Sequence, residues 1–150
     1  MEEKLGFSGH VLLVLLGPDG KEKERREIKN LIVGAGLGHL VSRLIGTTQA
    51  VMSHMAVGSG STAATAANTT LGSELGRVSL ASTTTSGTYN QNLVYSATFG
   101  AGTGTGNVTE AGIFNAASSG TMLCRTTFAL ITKGAGDTLQ VTWTVNLTAT

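Results

Sequence analysis

Apolar and polar residues alternate most regularly at the C-terminal end of the chain. Over 138–148 every second residue is large and apolar, and the residues between them are Thr, Gln or Asn; the apolar set is Leu139, Val141, Trp143, Val145 and Leu147. A period of two places the apolar side chains on one face of a β-strand. Threonine suits the opposite face because β-branched side chains fit a pleated surface. The pattern predicts a strand with one buried face and one face in water or against a partner.

Two more strands are predicted immediately before this one, over 108–114 and 121–131. Turn-forming residues fill 115–120 and 133–137, the two links between the three strands. The three segments therefore predict an antiparallel meander in the C-terminal third of the chain.

An ion pair is predicted inside this meander. If Phe114 faces Thr121 across the connecting loop, Glu110 faces Arg125. Opposite charges directly across a ladder contribute about 0.2–1 kcal/mol. Because the two residues stand among apolar neighbours, a structural pair is favoured, with a catalytic Glu/Arg pair as the alternative.

The N-terminal part of the chain predicts a hairpin over 9–28. Residues 9–17 are apolar on both faces, Pro-Asp-Gly at 18–20 supplies a turn, and 21–28 are almost all charged. Charged strands protect the edge of a sheet from unwanted pairing, so the hairpin is predicted to form an edge or an arm. A helix over 21–33 is the alternative, since Glu, Lys and Arg favour helices. The candidate partner contacts on this segment are Lys21, Lys23, Arg25 and Arg26.

One short α-helix is predicted over 36–46. The apolar residues recur at helical spacing and form a stripe: Leu37, Leu40, Val41, Leu44 and Ile45. Gly46 follows as a C-terminal cap. The stripe predicts that the helix packs against an end or a side of the sheets.

The glycines before this helix imitate a dinucleotide-binding loop. A short apolar run at 31–33 is followed by Gly34, Gly36 and Gly38. The third glycine of that fingerprint would have to stand at His39, and no acidic residue follows at the required distance. Nucleotide binding is therefore not expected.

The middle of the chain predicts two strands, over 51–57 and 88–99, separated by small residues. In the second, Tyr89, Leu93, Tyr95, Ala97 and Phe99 are predicted to share one face. The loop over 58–70 lacks Gly-Lys-Ser/Thr and is no phosphate cradle. It is expected either to lie on a neighbouring subunit or to pack flat on its own sheet. Glu74 and Arg77 are spaced to pair with each other, or with Arg125 and Glu110.

Composition narrows the classes of function. The chain has 150 residues, which predicts a single domain over 1–150. The net charge is +1, too small to predict nucleic-acid binding. The apolar run at 11–16 is too short to span a membrane, and the N-terminus does not resemble a signal peptide. Charged residues make up 13% of the chain against about 25% in ordinary domains, which suits a surface covered by neighbours.

The residues that carry chemistry are sparse and scattered. Three histidines, His10, His39 and His54, show no spacing typical of a metal site. The single cysteine, Cys124, lies in a predicted strand and is expected to be a small buried apolar residue. Neither a cofactor, a metal, a small-molecule substrate nor an enzymatic activity is predicted.

Three runs of the sequence carry a resemblance to a known family: AVGSGSTAATAANTTLGSELGR from residue 56, TEAGIFNAASSGTMLCRTTF from residue 109 and ITKGAGDTLQVTWTV from residue 131. Together with the spacing between them, these runs are similar to a pattern in virion structural proteins of tailed bacteriophages, covering residues 30–148. The family includes capsid decoration (cement) proteins and small tail-fibre or baseplate proteins.

The resemblance implies a mainly β fold, an antiparallel, jelly-roll-like β-sandwich with one short helix. It also implies a homo-oligomer, expected to be a trimer, that binds the major capsid protein and stabilises the phage head. The expected location is the head surface of the virion. The alternative is a tail-fibre or baseplate component involved in host attachment, located in the tail. A carbohydrate-active enzyme or lectin is a third hypothesis that fits the fold class but lacks the residues.

Overall fold

The computed structural model describes residues 2–47 and 49–149. This part of the chain contains ten strands and one helix. In chain order they are β1 Leu5–Leu16, β2 Glu22–Lys29, β3 Leu31–Ile32, α1 Gly34–Leu44, β4 His54–Gly58, β5 Glu74–Ser79, β6 Ser82–Ser86, β7 Asn92–Phe99, β8 Gly106–Phe114, β9 Met122–Lys133 and β10 Thr138–Ala149.

The strands form two five-stranded sheets. Sheet A has the order β2-β1-β10-β7-β6, and sheet B has the order β3-β9-β8-β4-β5. Every neighbouring pair in both sheets is antiparallel. The predicted fold class, mainly β with antiparallel sheets and one short helix, is confirmed at this level.

One large apolar core takes side chains from both sheets. The alternation over 138–148 is confirmed: Leu139, Val141, Trp143 and Val145 of β10 are buried. They share the core with residues of sheet B such as Met55. A smaller cluster lies on the other face of sheet B, as expected from the alternation of side chains along a strand; it comprises Val33, Ala56, Leu71, Phe114 and Met122.

The buried indole of Trp143 has a polar partner from the β2–β3 link. In the orientation that its neighbours require, the Asn30 amide accepts a hydrogen bond from Trp143 Nε1 at 3.2 Å and donates one to the Gly9 carbonyl at 3.0 Å. Buried Trp N–H groups usually find such a partner. Asn30 thereby connects the N-terminal hairpin to the centre of sheet A.

The N-terminal hairpin is an integral part of sheet A. β1 pairs with β10 along its full length and with β2 on its other side. β2 is the edge strand, so the edge prediction agrees with the structure and the helical alternative for 21–33 is wrong. No helix in the described part of the chain is long and apolar enough to cross a membrane.

The sequence predictions about the middle of the chain need correction. The strand predicted over 51–57 begins only at His54 and ends at Gly58. β6 was not predicted, because Ser and Thr alone give no alternation of apolar and polar residues. The predicted strand at 88–99 begins only at Asn92. Tyr89 therefore does not share the apolar face of β7; it lies in a turn beside Asn90, whose φ is +54°, and it is 86% exposed.

Candidate functional site

Glu110 and Arg125 form a buried ion pair on the outer face of sheet B. Arg125 Nη2 and Nε donate to Glu110 Oε2 at 2.8 and 3.0 Å. Both side chains are almost completely buried. The predicted register is wrong by two residues: Phe114 lies opposite Met122 rather than Thr121, and the ladder shifts by one more residue between Ile113 and Phe114. Glu110 therefore lies opposite Thr127, and Arg125 opposite Gly112. The two side chains meet diagonally across the ladder, within reach of long side chains.

Backbone amides complete the surroundings of the Glu110 carboxylate. Oε1 accepts from the amides of Gly60 and Ser73, each at 2.8 Å, and Oε2 accepts from the amide of Gly72 at 2.9 Å. Burial alone would raise the pKa of Glu110. The hydrogen bonds from Gly72, Ser73, Arg125 and Gly60 outweigh burial, so its pKa lies below the ordinary value. The carboxylate is therefore ionised at neutral pH and fully occupied by donors.

Glycine is required where the chain passes closest to this carboxylate. A Cβ atom at Gly58 or Gly60 would lie 2.5 Å from Glu110 Oε1, closer than side-chain atoms approach each other. Gly58 and Gly60 therefore leave room for the Glu110 carboxylate.

Arg125 attaches the 59–73 loop to the sheet. Its Nη1 donates to Asn68 Oδ1 and its Nη2 donates to the Thr62 carbonyl, both at 3.0 Å. The loop also accepts a hydrogen bond at Ala66 from the amide of Gly34, at the start of the helix. The loop contacts its own sheet, which agrees with one of the two alternatives, and its contact with a neighbouring subunit stays a prediction. The ion pair works as an internal clamp between sheet B and the 59–73 loop.

A second ion pair supports the neighbouring edge strand. Arg77 and Glu74 pair with each other, at 2.7 and 3.0 Å, and not with Glu110 or Arg125. The Arg77 guanidinium lies over the Phe114 ring, 3.8 Å from its centroid, and donates to the carbonyls of Ala116 and Ser119. Arg77 thereby ties β5 to the loop between β8 and β9.

The four cationic residues proposed as partner contacts are mostly engaged within the chain. Lys23 Nζ contacts Asp137 Oδ2 at 2.9 Å, Arg25 pairs with Glu22, and Arg26 pairs with Glu24. Arg26 also donates to the carbonyls of Ala129 and Leu130 on sheet B. Lys21 is exposed in the turn. The contacts of Lys23 with Asp137 and of Arg26 with β9 connect the hairpin to the rest of the protein.

The remaining candidate groups are dispersed. His10 is exposed, His39 is buried with its Nδ1 3.1 Å from Gln49 Oε1, and His54 contacts two serine hydroxyls. Cys124 is buried, and burial raises the pKa of its thiol well above the ordinary value. Within residues 2–47 and 49–149 no group of three His, Cys, Asp or Glu side chains is arranged to hold a metal ion.

A buried lysine was not anticipated from the sequence. Lys133, predicted as part of a turn, is 1% exposed and donates from Nζ to the Gly100 carbonyl at 2.9 Å. It lies near Asp137, whose pKa is lowered by the hydrogen bonds from Lys23 and from the Gly134 amide. The turn-forming residues around Lys133 gave no indication in the sequence that its side chain is buried.

The helix packs against a side of sheet B, as the sequence predicts, but its apolar stripe faces away from the core. Four residues of the stripe form the exposed helix face, namely Leu37, Val41, Leu44 and Ile45, which are 42%, 57%, 86% and 74% exposed. The fifth, Leu40, is half-buried. The side of α1 that packs on β9 instead carries small or polar residues, namely Gly36, His39 and Ser42. A Cβ atom at Gly36 would collide with the Leu123 carbonyl, so glycine allows the helix backbone to contact the sheet backbone.

The helix spans Gly34–Leu44 rather than the predicted 36–46, but Gly46 closes it as predicted. Gly46 has a φ of +75°, and the amides of Gly46 and Thr47 donate to the carbonyls of Arg43 and Ser42. This is the Schellman arrangement, which satisfies the last carbonyl groups of a helix. The only charged residue of α1, Arg43, donates to the Gln49 carbonyl at 2.9 Å. The helix face therefore presents an apolar surface without a charge of its own.

Comparison of the chain with known proteins found no family model, no characterised protein and no solved structure that matches it. The resemblance to phage virion proteins therefore stays a prediction from the sequence.

Proposed function

We propose that the protein is a structural component of a tailed-phage virion, a decoration or cement protein that binds the major capsid protein and stabilises the head. The observation that carries this proposal is the helix face. Four aliphatic side chains stand exposed on one side of α1 although the protein has an extensive core elsewhere. The largest apolar patch on an ordinary monomer covers about 300–600 Å² and often marks a contact surface.

The chemistry of the helix face defines the partner surface. The face is aliphatic, and the guanidinium of Arg43 is already bonded to a carbonyl of the same chain. A complementary surface would be apolar and uncharged, and its burial would gain about 25 cal/mol per Å². Such a contact stabilises neighbouring shell subunits mechanically, with no reacting group involved.

The internal clamp supports the same function. Glu110 and Arg125 use their charges to fix the 59–73 loop on sheet B rather than to face solvent. We infer that the two sheets pack face to face as a β-sandwich, since the main core draws on both. The jelly-roll-like connectivity, the homotrimer and the head location stay predictions.

Cosedimentation with isolated heads of the corresponding phage tests the proposal. The purified protein is expected to bind, and the double variant Leu44→Ser, Ile45→Ser is expected to lose binding. Leu130→Ser is the matched control, because Leu130 is an exposed aliphatic residue on β9, outside the helix. Loss of binding in the control but not in the double variant would contradict the role of the helix face.

The number of copies per virion separates the head from the tail. A decoration protein is expected in hundreds of copies, and a tail-fibre or baseplate component in a few to tens. Failure of the wild-type protein to bind heads, together with a low copy number, would favour the tail alternative.

A further inference from the structure

Three of the four sheet edges carry features that discourage pairing with another chain. β2 is charged at most positions, and β3 has only two residues. β5 carries the Glu74–Arg77 ion pair and a register shift in its ladder with β4. Charged, very short or bulged strands are the usual protections of an exposed edge. The fourth edge, β6, has none of these features.

β6 is an unprotected edge strand. All five of its residues are exposed, and it contains no charge, proline or glycine. It pairs with β7 on one side, and among the residues that the structure describes no strand pairs with it on the other. Its three threonines have a high β-propensity. An edge of this kind presents backbone N–H and C=O groups that can pair with an additional strand.

The sequence of β6 indicates which strand fits this edge. Ser-Thr-Thr-Thr-Ser reads the same in both directions. When two copies pair antiparallel about Thr84, serine faces serine and threonine faces threonine along the whole strand. Cross-strand Thr–Thr and Thr–Ser pairs are favourable, and no like charges are brought together.

We propose that β6 is a self-association edge through which two copies of the chain form a twofold-symmetric dimer. The twofold axis passes between the two Thr84 residues, so each copy offers the same surface to the other. Sheet A then continues from one copy into the other as a ten-stranded sheet. This contact does not depend on the capsid proposal, and it would replace the homotrimer that the sequence resemblance implies.

The register of β6 identifies the residue that tests this contact. Thr83 lies opposite Tyr95, which is buried in the core, and Thr84 lies opposite Val94. Thr84 therefore points to the outer face of sheet A, where a longer side chain has room. In the dimer its Cβ would lie about 4.5–5.5 Å from that of the second Thr84, close enough for two like charges to repel each other.

Sedimentation velocity and light scattering over a range of concentrations test the dimer. The wild-type protein is expected to have twice the chain mass of 15.3 kDa. Thr84→Lys is expected to weaken the dimer by up to about fivefold, since it places two ammonium groups at the axis. Thr98→Lys is the matched control: Thr98 is also exposed, but its partner is Gln140 of β10 and it lies beyond the end of β6. It is expected to remain dimeric.

A charge-swap experiment separates loss of the contact from loss of the fold. Thr84→Glu alone is expected to weaken the dimer as Thr84→Lys does, and an equimolar mixture of Thr84→Glu with Thr84→Lys is expected to recover it. Wild-type protein that stays monomeric, or that forms an oligomer unaffected by Thr84→Lys, would overturn the proposal. Head binding through the helix face is measured separately, so failure of either proposal is recognised independently of the other.

Discussion

At the scale of single residues, Glu110 connects several separate segments of the chain. Its carboxylate joins β8, Arg125 of β9 and three backbone amides of one loop. A buried charge costs free energy unless it is paired and hydrogen-bonded, and here every acceptor position has a donor. Removing the charge therefore affects two strands and the loop at once.

Glu110→Gln is expected to lower the free energy of unfolding by about 3–5 kcal/mol, because it leaves the buried Arg125 guanidinium without its counter-charge. Urea unfolding measures the change. Glu22→Gln is the control: Glu22 pairs with Arg25 at the surface, where ion pairs contribute little, so the stability should hardly change. Equal effects in both variants would contradict the clamp.

The lowered pKa of Glu110 gives this prediction a dependence on pH. The folded state holds the proton less tightly than the unfolded state, so the stabilisation is complete above the ordinary glutamate pKa of about 4.3. It is lost as the pH falls from there through the lower pKa of the folded state. The difference in stability between wild type and Glu110→Gln should therefore shrink on acidification below about pH 4.3.

At the scale of elements, α1 shows how close packing can reverse the orientation of an amphipathic helix. Its apolar stripe predicts a buried face, but the helix backbone lies directly on β9, and only small or polar residues fit there. Large aliphatic side chains on that side would push the helix away from the sheet. They are consequently directed outward, where they form the helix face.

Two glycines of the same helix give a matched pair of substitutions. Gly36→Ala is expected to destabilise the protein, because the added methyl group collides with the Leu123 carbonyl. Gly38→Ala is expected to stabilise it by up to about 1 kcal/mol, because no atom lies within 4 Å of the added methyl group and alanine favours the helix. Thermal unfolding followed by circular dichroism measures both. Stabilisation by both substitutions would show that the helix does not lie directly on the sheet.

At the scale of the whole molecule, the two sheets share one large core, so they are expected to unfold together. The single tryptophan, Trp143, is completely buried in that core and reports on its integrity. Its fluorescence is expected to change in the same urea transition as the far-ultraviolet circular dichroism. The control is acrylamide, which should quench the folded protein only weakly. A fluorescence transition that precedes the loss of strand signal would contradict a shared core.

The amino-acid sequence by itself determined the elements that have a strong local pattern. The alternation over 138–148 specified which side of β10 is buried, because a period of two leaves one apolar face. The charges of 21–28 specified an edge, and Gly46 specified the end of the helix, since both effects are local. The pairing of Glu110 with Arg125 was also predicted from spacing, although with the wrong register.

Only the tertiary structure decided the features that depend on contacts distant in sequence. The register shift at Ile113–Phe114, the glycines around the Glu110 carboxylate and the burial of Lys133 all arise where separate segments meet. The outward orientation of α1 follows from one backbone contact with Leu123, and β6 is a strand because β7 lies beside it. A local pattern records the preference of one segment, whereas burial and pairing depend on what the fold places against it.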